Sequence, residues 1–318
     1  MKLRNSSFVL ALAATLGAGT AHASCGSAFC TLNTDWATQG VASEPGTTRL
    51  DLRAEFVDQK RLRAGGRQIA AADDTADATE LRTINRNLLA TLDYALSSNW
   101  TISASVPVTS RSHSHISDPT AAATLESWNF TKLGDARVLG YYRIDSADPA
   151  LNHGLSAGLK LPSGDYQVKN GDGTIAERAL QPGTGSTDLV LGAYYSAPGR
   201  QPDSSWFAQG MAQHAIATKD GFKPGTQFQL NLGYRYPIND SLQAVAQINA
   251  LIKARDTGVN AEPDLSGSRS VFLSPGLAYS LTHDVQLYGY VQLPVYRHVN
   301  GTQLSADWSV IVGVTTRF

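Results

Sequence analysis

Residues 306–318 read ADWSVIVGVTTRF. Counting back from Phe318, every second residue is Thr316, Val314, Val312, Val310 and Trp308. Between them stand Arg317, Thr315, Gly313, Ile311, Ser309 and Asp307. One row is largely apolar and the other largely small or polar, the period of a strand with two unlike faces. A single such strand fits a soluble sheet as well as any other all-β fold, so the rest of the chain has to decide.

The same period recurs upstream. Leu50, Leu52, Ala54 and Phe56 oppose Arg49, Asp51, Arg53 and Glu55. Leu88, Ala90, Leu92 and Tyr94 oppose Asn87, Thr91 and Asp93, and Trp100 to Val108 alternate with Thr101, Ser103 and Ser105. Further two-faced segments start near residues 135, 155, 188, 205, 227, 242, 270 and 285. That makes about twelve strands, each near the length that crosses a bilayer at a tilt. Short connections such as Ser97-Ser98-Asn99 and Asn239-Asp240 alternate with long ones near 59–83, 114–129, 164–186 and 256–268. This is the loop asymmetry of a membrane barrel, and a soluble sandwich has no reason to show it.

The N-terminus supports the same compartment. Lys2 and Arg4 precede an apolar run, FVLALAATLG at 8–17, and Ala21-His22-Ala23 forms a cleavage site, so residues 1–23 read as a secretory signal. His22 stands where a lipoprotein signal wants Leu. No other stretch is long and apolar enough for a membrane helix, so a membrane-integral fold must be a closed barrel. Residues 24–46 are expected to be a periplasmic lead-in or short plug, and 47–318 the barrel. Cys25 and Cys30, the only cysteines, suggest a local disulfide in an oxidising compartment. The net charge of −1 gives no reason to expect nucleic acid as a partner.

In such a barrel the apolar row meets lipid and the polar row lines the lumen. The lumen-lining candidates are Arg49, Arg53, Glu55, Asp93, Asp135, Arg137, Arg143, Lys160, Arg235 and Lys253, with Tyr288 and Tyr290 as aromatic wall. Charges of both signs either select solutes or pair across the wall and partly close it. The Gly-rich stretch 162–186 lacks the P-loop lysine pattern and is either a constriction folded inward or a surface loop. His113 and His115 share a strand face, and an exposed strand end explains them without a metal. No nucleophile or acid is singled out beside a histidine, so no enzyme, cofactor or metal is expected. Phe318, with Val310, Val312 and Val314, resembles the C-terminal signal read by the barrel-assembly machinery.

Three runs carry a family resemblance: GDARVLGYYRI (134–144), GLSAGLKLPSGDY (154–166) and LQPGTGSTDLVLGAYYS (180–196). Their order resembles the phenol meta-degradation-type outer-membrane proteins, described as transporters. The runs at 158–165 and 181–188 carry most of it. The resemblance implies a barrel associated with uptake of aromatic or other small hydrophobic compounds, and it brings no catalytic residues. The expectation is therefore an up-and-down antiparallel transmembrane barrel of about twelve strands in the outer membrane, both termini periplasmic. Its partners would be outer-membrane lipid, the assembly machinery and a small-molecule solute. The alternative is a structural or adhesion barrel with a closed lumen and partner-binding loops.

Overall fold

The computed structural model describes residues 32–35, 38–39, 44–71, 74, 78–117 and 124–318. The signal sequence and the Cys25/Cys30 pair lie outside the described residues. The strands are β1 (Thr48–Ala64), β2 (Arg67–Gln68), β3 (Ala78–Ala95), β4 (Trp100–Ser117), β5 (Thr124–Leu133) and β6 (Arg137–Ile144). They continue as β7 (Asn152–Lys160), β8 (Ser186–Pro198), β9 (Ser205–Thr218), β10 (Phe222–Lys223), β11 (Gln227–Pro237) and β12 (Leu242–Lys253). The last are β13 (Thr257–Gly258), β14 (Ser268–Ser280), β15 (Val285–Val299) and β16 (Thr302–Arg317).

Twelve of these pair in sequence order into one closed antiparallel barrel: β1, β3, β4, β6 to β9, β11, β12 and β14 to β16. The seam is β1 on β16, running from Arg49 opposite Arg317 to Ala64 opposite Thr302. The Thr48 amide donates to the Phe318 carbonyl at 3.2 Å and the Phe318 amide returns a bond to Thr48 at 2.9 Å. Closure leaves the barrel no unpaired edge at the seam, as lipid requires.

The faces are inverted relative to a soluble barrel. On β3, Leu88 and Leu92 are 48% exposed, while Asn85 and Asn87 are buried. The same holds on β1, where Arg49, Asp51, Arg53 and Glu55 are buried and Leu52 is exposed. Exposed Tyr94, Trp100, Tyr142, Tyr195, Trp206, Tyr236 and Tyr279 all stand near the short-turn end. Trp100 packs on Tyr142 at 5.0 Å and Trp206 on Tyr234 at 4.3 Å between ring centroids. This is an interfacial aromatic girdle. From Phe228 to Tyr236 the outward row of β11 is apolar or aromatic, roughly 26 Å along a tilted strand.

Two expected loops are largely strand. β1 continues to Ala64 and β3 begins at Ala78, while β4 runs to Ser117 and meets β5 at Thr124. Here the outward row turns polar: Arg82, Arg86, Ser110, Ser112 and Ser114 replace the leucines and valines. Alternation in hydropathy disappears while backbone pairing continues, so the extension is invisible to a hydropathy pattern. Arg82 grips Asp58 across β1 and β3 with bonds of 2.8 and 2.9 Å. The β15–β16 connection is only Asn300-Gly301. Gly301 has φ +57, and a Cβ there would meet the Asp264 carbonyl oxygen at 2.5 Å.

The wall is broken once. β5 pairs with the upper half of β4 and β6 with its lower half, and the chain between them is Gly134-Asp135-Ala136. The loop 161–185 crosses at this break and folds inward.

Candidate functional site

The lumen is occupied from two directions. At the short-turn side, the described part of the lead-in lies inside the barrel. Leu32 sits among Val57, Phe207, Val245, Tyr288, Tyr290 and Ile311. The Asn33 amide donates to Gln247 Oε1 at 3.2 Å, and Gln247 Nε2 donates to the Asn33 carbonyl at 2.8 Å. Arg53 Nη1 donates to Thr34 Oγ1 at 3.0 Å, and Arg235 Nη2 to Gln39 Oε1 at 2.6 Å. Wall side chains thus replace the water that the segment's backbone would otherwise need.

Above this segment a polar ladder crosses the wall. Asn249 Nδ2 donates to Asn231 Oδ1 at 2.8 Å, and Ser274 Oγ donates to Asn249 Oδ1 at 2.6 Å. Asn231, Asn249 and Ser274 are each 0% exposed. A side chain lining an open aqueous path keeps some contact with solvent, so this sector of the wall is shut off from water.

The second inserted element is the loop 161–185, and the family-like runs explain how it is held. Lys160 Nζ donates to Asp135 Oδ2 at 2.8 Å and to Ser186 Oγ at 3.0 Å, bonds Thr184 Oγ1, and lies 3.3 Å from Asp188 Oδ2. Asp135 also accepts from the Thr184 amide at 2.8 Å and the Gly164 amide at 3.1 Å. One buried ion cluster therefore joins β6, β7, β8 and both ends of the loop. The path needs glycine. A Cβ on Gly164 would lie 2.6 Å from the Gly134 carbonyl carbon, and one on Gly183 would lie 2.6 Å from that of Gly164. Three backbones stack where no side chain fits.

Beyond the crossing, the loop packs Ala176 and Leu180 against Trp128 of β5. Trp128 Nε1 donates to the Thr174 carbonyl at 3.1 Å. Arg111, inward from β4, donates to Asn85 Oδ1 at 2.7 Å and to the carbonyls of Ala179 and Leu180. His113 and His115 point inward on the same row and are 2% and 1% exposed, not the exposed strand end expected of them. The strand continues past them, and Trp128 and the loop cover them. Glu80 from β3 is buried beside them. Burial, then the nearby Glu80, Glu262 and Glu126, push the Glu177 carboxyl of the loop well above its usual range. Burial, and then Asp256, push Glu262 up to about 8.

The sequence candidates distribute over these levels. Arg49, Arg53, Glu55, Asp135, Lys160, Tyr288 and Tyr290 are buried inside the barrel. Arg53 Nη2 pairs with Glu55 Oε1 at 2.8 Å, and Tyr288 donates to both oxygens of Asp51 at 3.0 and 2.9 Å. Arg137 Nη2 donates to Gln213 Oε1 at 2.8 Å. Arg143 instead donates to the Ser98 carbonyl of a short turn at 3.1 Å, and Lys253 pairs with Asp256 at the long-loop rim. Asp93 takes its place beside Arg49 on the inner row of β3. Gln247 stands on the polar row of its strand in the sequence, and Glu177, with Asn170 and Asp172, faintly suggests calcium there; sequence reasoning missed Glu80, Arg111 and Trp128. Of these, only Arg111 carried a local signal, as the residue two before His113 on the inward row.

Closed wall, inverted faces and inserted segments together define the class: a twelve-stranded barrel of the outer-membrane channel type. A solved outer membrane channel from Pseudomonas putida F1 has this fold, with a TM-score of 0.64 at 14% identity, covering 88% of this chain and 98% of that one. The family described as "Putative MetA-pathway of phenol degradation" matches over residues 73–310, well over half the chain, and the protein belongs to it. Weaker likenesses include the TodX monoaromatic hydrocarbon channel (TM-score 0.43, 12% identity, 88% of this chain and 92% of that one). The Ralstonia pickettii toluene transporter TbuX is similar at a TM-score of 0.45 and 11% identity, over 90% of this chain and 92% of that one. No curated protein matches the chain in sequence. The fold shared with the Pseudomonas putida F1 channel is a closed outer-membrane-type barrel.

Proposed function

We propose that the protein is a gated channel of the outer membrane that passes small molecules passively, with its short turns and both termini on the periplasmic side. One observation carries this reading. Apart from the apolar contacts of Leu32 and Leu180, the wall behind the inserted segments is polar: Gln247 and Arg53 bond the lead-in, Asn231, Asn249 and Ser274 bond one another, and Asp51 accepts from Thr315 and Tyr288 of the wall. When a segment leaves, water satisfies these groups at little cost, whereas an apolar wall would hold the segment in place. The solute class we favour is small aromatic or hydrophobic compounds. The family's description names phenol degradation. Tyr141 and Tyr194 pair edge-on at 6.2 Å inside the wall, and Tyr288 and Tyr290 at 6.0 Å, which gives ring surfaces with polar tips.

The zero exposure of the mid-level ladder favours a second reading, a structural barrel whose loops bind a partner. Planar-bilayer recording and liposome flux of phenol separate the two. Stepwise conductance that changes when Arg137 or Arg235 is replaced by Ala supports the channel. No conductance and no flux, in the full chain and in a chain lacking residues 24–46, decides for the closed barrel.

A further inference from the structure

Glu80, His113 and His115 face one another in the upper lumen, with a ligand atom from each within 4.8 Å of the others. His113 Nε2 lies 3.1 Å from His115 Nδ1 and 3.6 Å from Glu80 Oε2. Two further carboxylates close the chamber. Glu126 Oε2 of β5 is 3.8 Å from His115 Nε2, and Glu177 Oε1 of the inserted loop is 4.0 Å from His115 Nδ1. Neither carboxylate oxygen of Glu177 has a hydrogen-bond partner among the described residues, although both are shielded from solvent.

We propose that these residues form a site for a divalent transition-metal ion of the zinc class, bound by Glu80 Oε2, His113 Nε2 and His115 Nδ1 from the wall and by Glu177 from the loop. The spacing fits. Four ligands at 2.0–2.1 Å around a tetrahedral ion stand about 3.3 Å apart, close to the 3.1 and 3.6 Å that separate His113 Nε2 from His115 Nδ1 and from Glu80 Oε2, and the two glutamates close on the ion by side-chain rotation. The donor set fits as well, since imidazole with carboxylate suits zinc and its neighbours better than calcium or magnesium. Charge points the same way. Glu80, Glu126, Glu177 and Glu262 gather there against Arg111, so the chamber carries an excess of negative charge when ionised, which a divalent cation offsets. Orientation is provided too: Thr83 Oγ1 sits 2.8 Å from His113 Nδ1, and that bond directs the other ring nitrogen toward the ion. The Trp128 ring, 5.9 and 5.1 Å from the two imidazoles, keeps bulk water away.

The ligands come from two bodies, and this gives the site its role. Three belong to the rigid β3–β4 wall, and Glu177 belongs to the loop that closes the upper lumen. A bound ion staples the loop inside the barrel, beside the anchor that Arg111 makes to the Ala179 and Leu180 carbonyls. The inference does not depend on which solute passes, or on whether any does.

The test is titration of the folded, chelator-treated full chain in detergent with zinc chloride alone, followed by calorimetry, and with cobalt chloride followed by absorption. The expected result is one ion per chain, an intense tetrahedral cobalt spectrum and slower proteolysis of the loop when zinc is bound. Glu177→Gln should weaken binding about tenfold and abolish the protection of the loop while the wall ligands still hold the ion. His113→Ala with His115→Ala should weaken it at least about 100-fold, with a heat-modifiable gel shift confirming the folded barrel. No saturable binding by the wild-type chain overturns the site. So does a weak, octahedral cobalt spectrum, or zinc affinity unchanged in the folded double variant. Unchanged loop proteolysis on zinc binding overturns the staple.

Discussion

Replacing Lys160 by Met tests what holds the loop 161–185 in place. The ammonium, Asp135 and Asp188 are 4%, 6% and 2% exposed, so their attraction is little screened. Removing one partner of a buried ion pair costs about 3–5 kcal/mol, chiefly because it strands the other charge. Here two carboxylates are stranded. That cost does not have to melt a closed twelve-stranded wall. It falls on the least supported element that can relieve it, the loop whose Thr184 and Gly164 amides bind Asp135. At about 1.4 kcal/mol per tenfold, 3 kcal/mol shifts the ratio of seated to unseated loop by roughly 100-fold or more. Limited proteolysis of the folded barrel should therefore cut within 161–185 about two orders of magnitude faster, and bilayer openings should become more frequent. Adding Asp135→Asn and Asp188→Asn to Lys160→Met removes the stranded charges and should recover most of the protection. Unchanged cleavage in Lys160→Met would refute the anchoring role. A triple variant as labile as the single one would refute the charge reasoning while leaving the anchor.

Four further outcomes follow from the same geometry. Deleting residues 24–46 removes the segment bound by Gln247, Arg53 and Arg235 and should raise single-channel conductance; identical traces would show that the segment does not limit the path. Gly183→Ala places a Cβ 2.6 Å from the Gly164 backbone, so the loop should become protease-sensitive without loss of the heat-modifiable barrel. Deleting Phe318 removes both closing bonds with Thr48 and should lower the yield of folded barrel on refolding, with equal yields counting against a role in closure. Glu262 has a folded pKa raised to about 8, chiefly by burial. A raised acid stabilises the folded form of its own connection, residues 254–267, fully below its unfolded value, and that support is lost as pH rises through about 8. Cleavage within 254–267 should speed up between pH 6 and pH 9 in the wild type relative to Glu262→Gln, and parallel rates in the two would contradict this.

The barrel was legible because lipid imposes a strict code: each of the twelve strands had to put an apolar row outward, and Leu88, Leu92 and Val312 show it. The code stops where lipid stops. Past Arg86 on β3 and Val108 on β4 the outward row is mostly polar, so Glu80 fell within an expected loop, and His113 and His115 read as an exposed strand end rather than as part of a strand that continues. The site had a further obstacle, because Glu80 and Glu177 are brought to the histidines by pairing and by an inward fold, neither of which leaves a local pattern. The Gly-rich runs were visible as a family-like signature, but their reason was not. It lies in the approach of Gly134, Gly164 and Gly183 and in the charge cluster on Lys160, both of which exist only after three separate stretches meet.

The luminal residues 32–35 and 38–39 lie shortly before β1 in the sequence, and β1 is one lip of the β1–β16 seam. A filler tethered to the lip of the seam constrains the order of biogenesis. Few residues separate it from the strand, so it is held beside the short-turn mouth when β16 zips onto β1, at an effective concentration that no free chain reaches. Filling and sealing are thereby coupled at one place along the circumference, and the stopper is supplied by the chain that builds the wall.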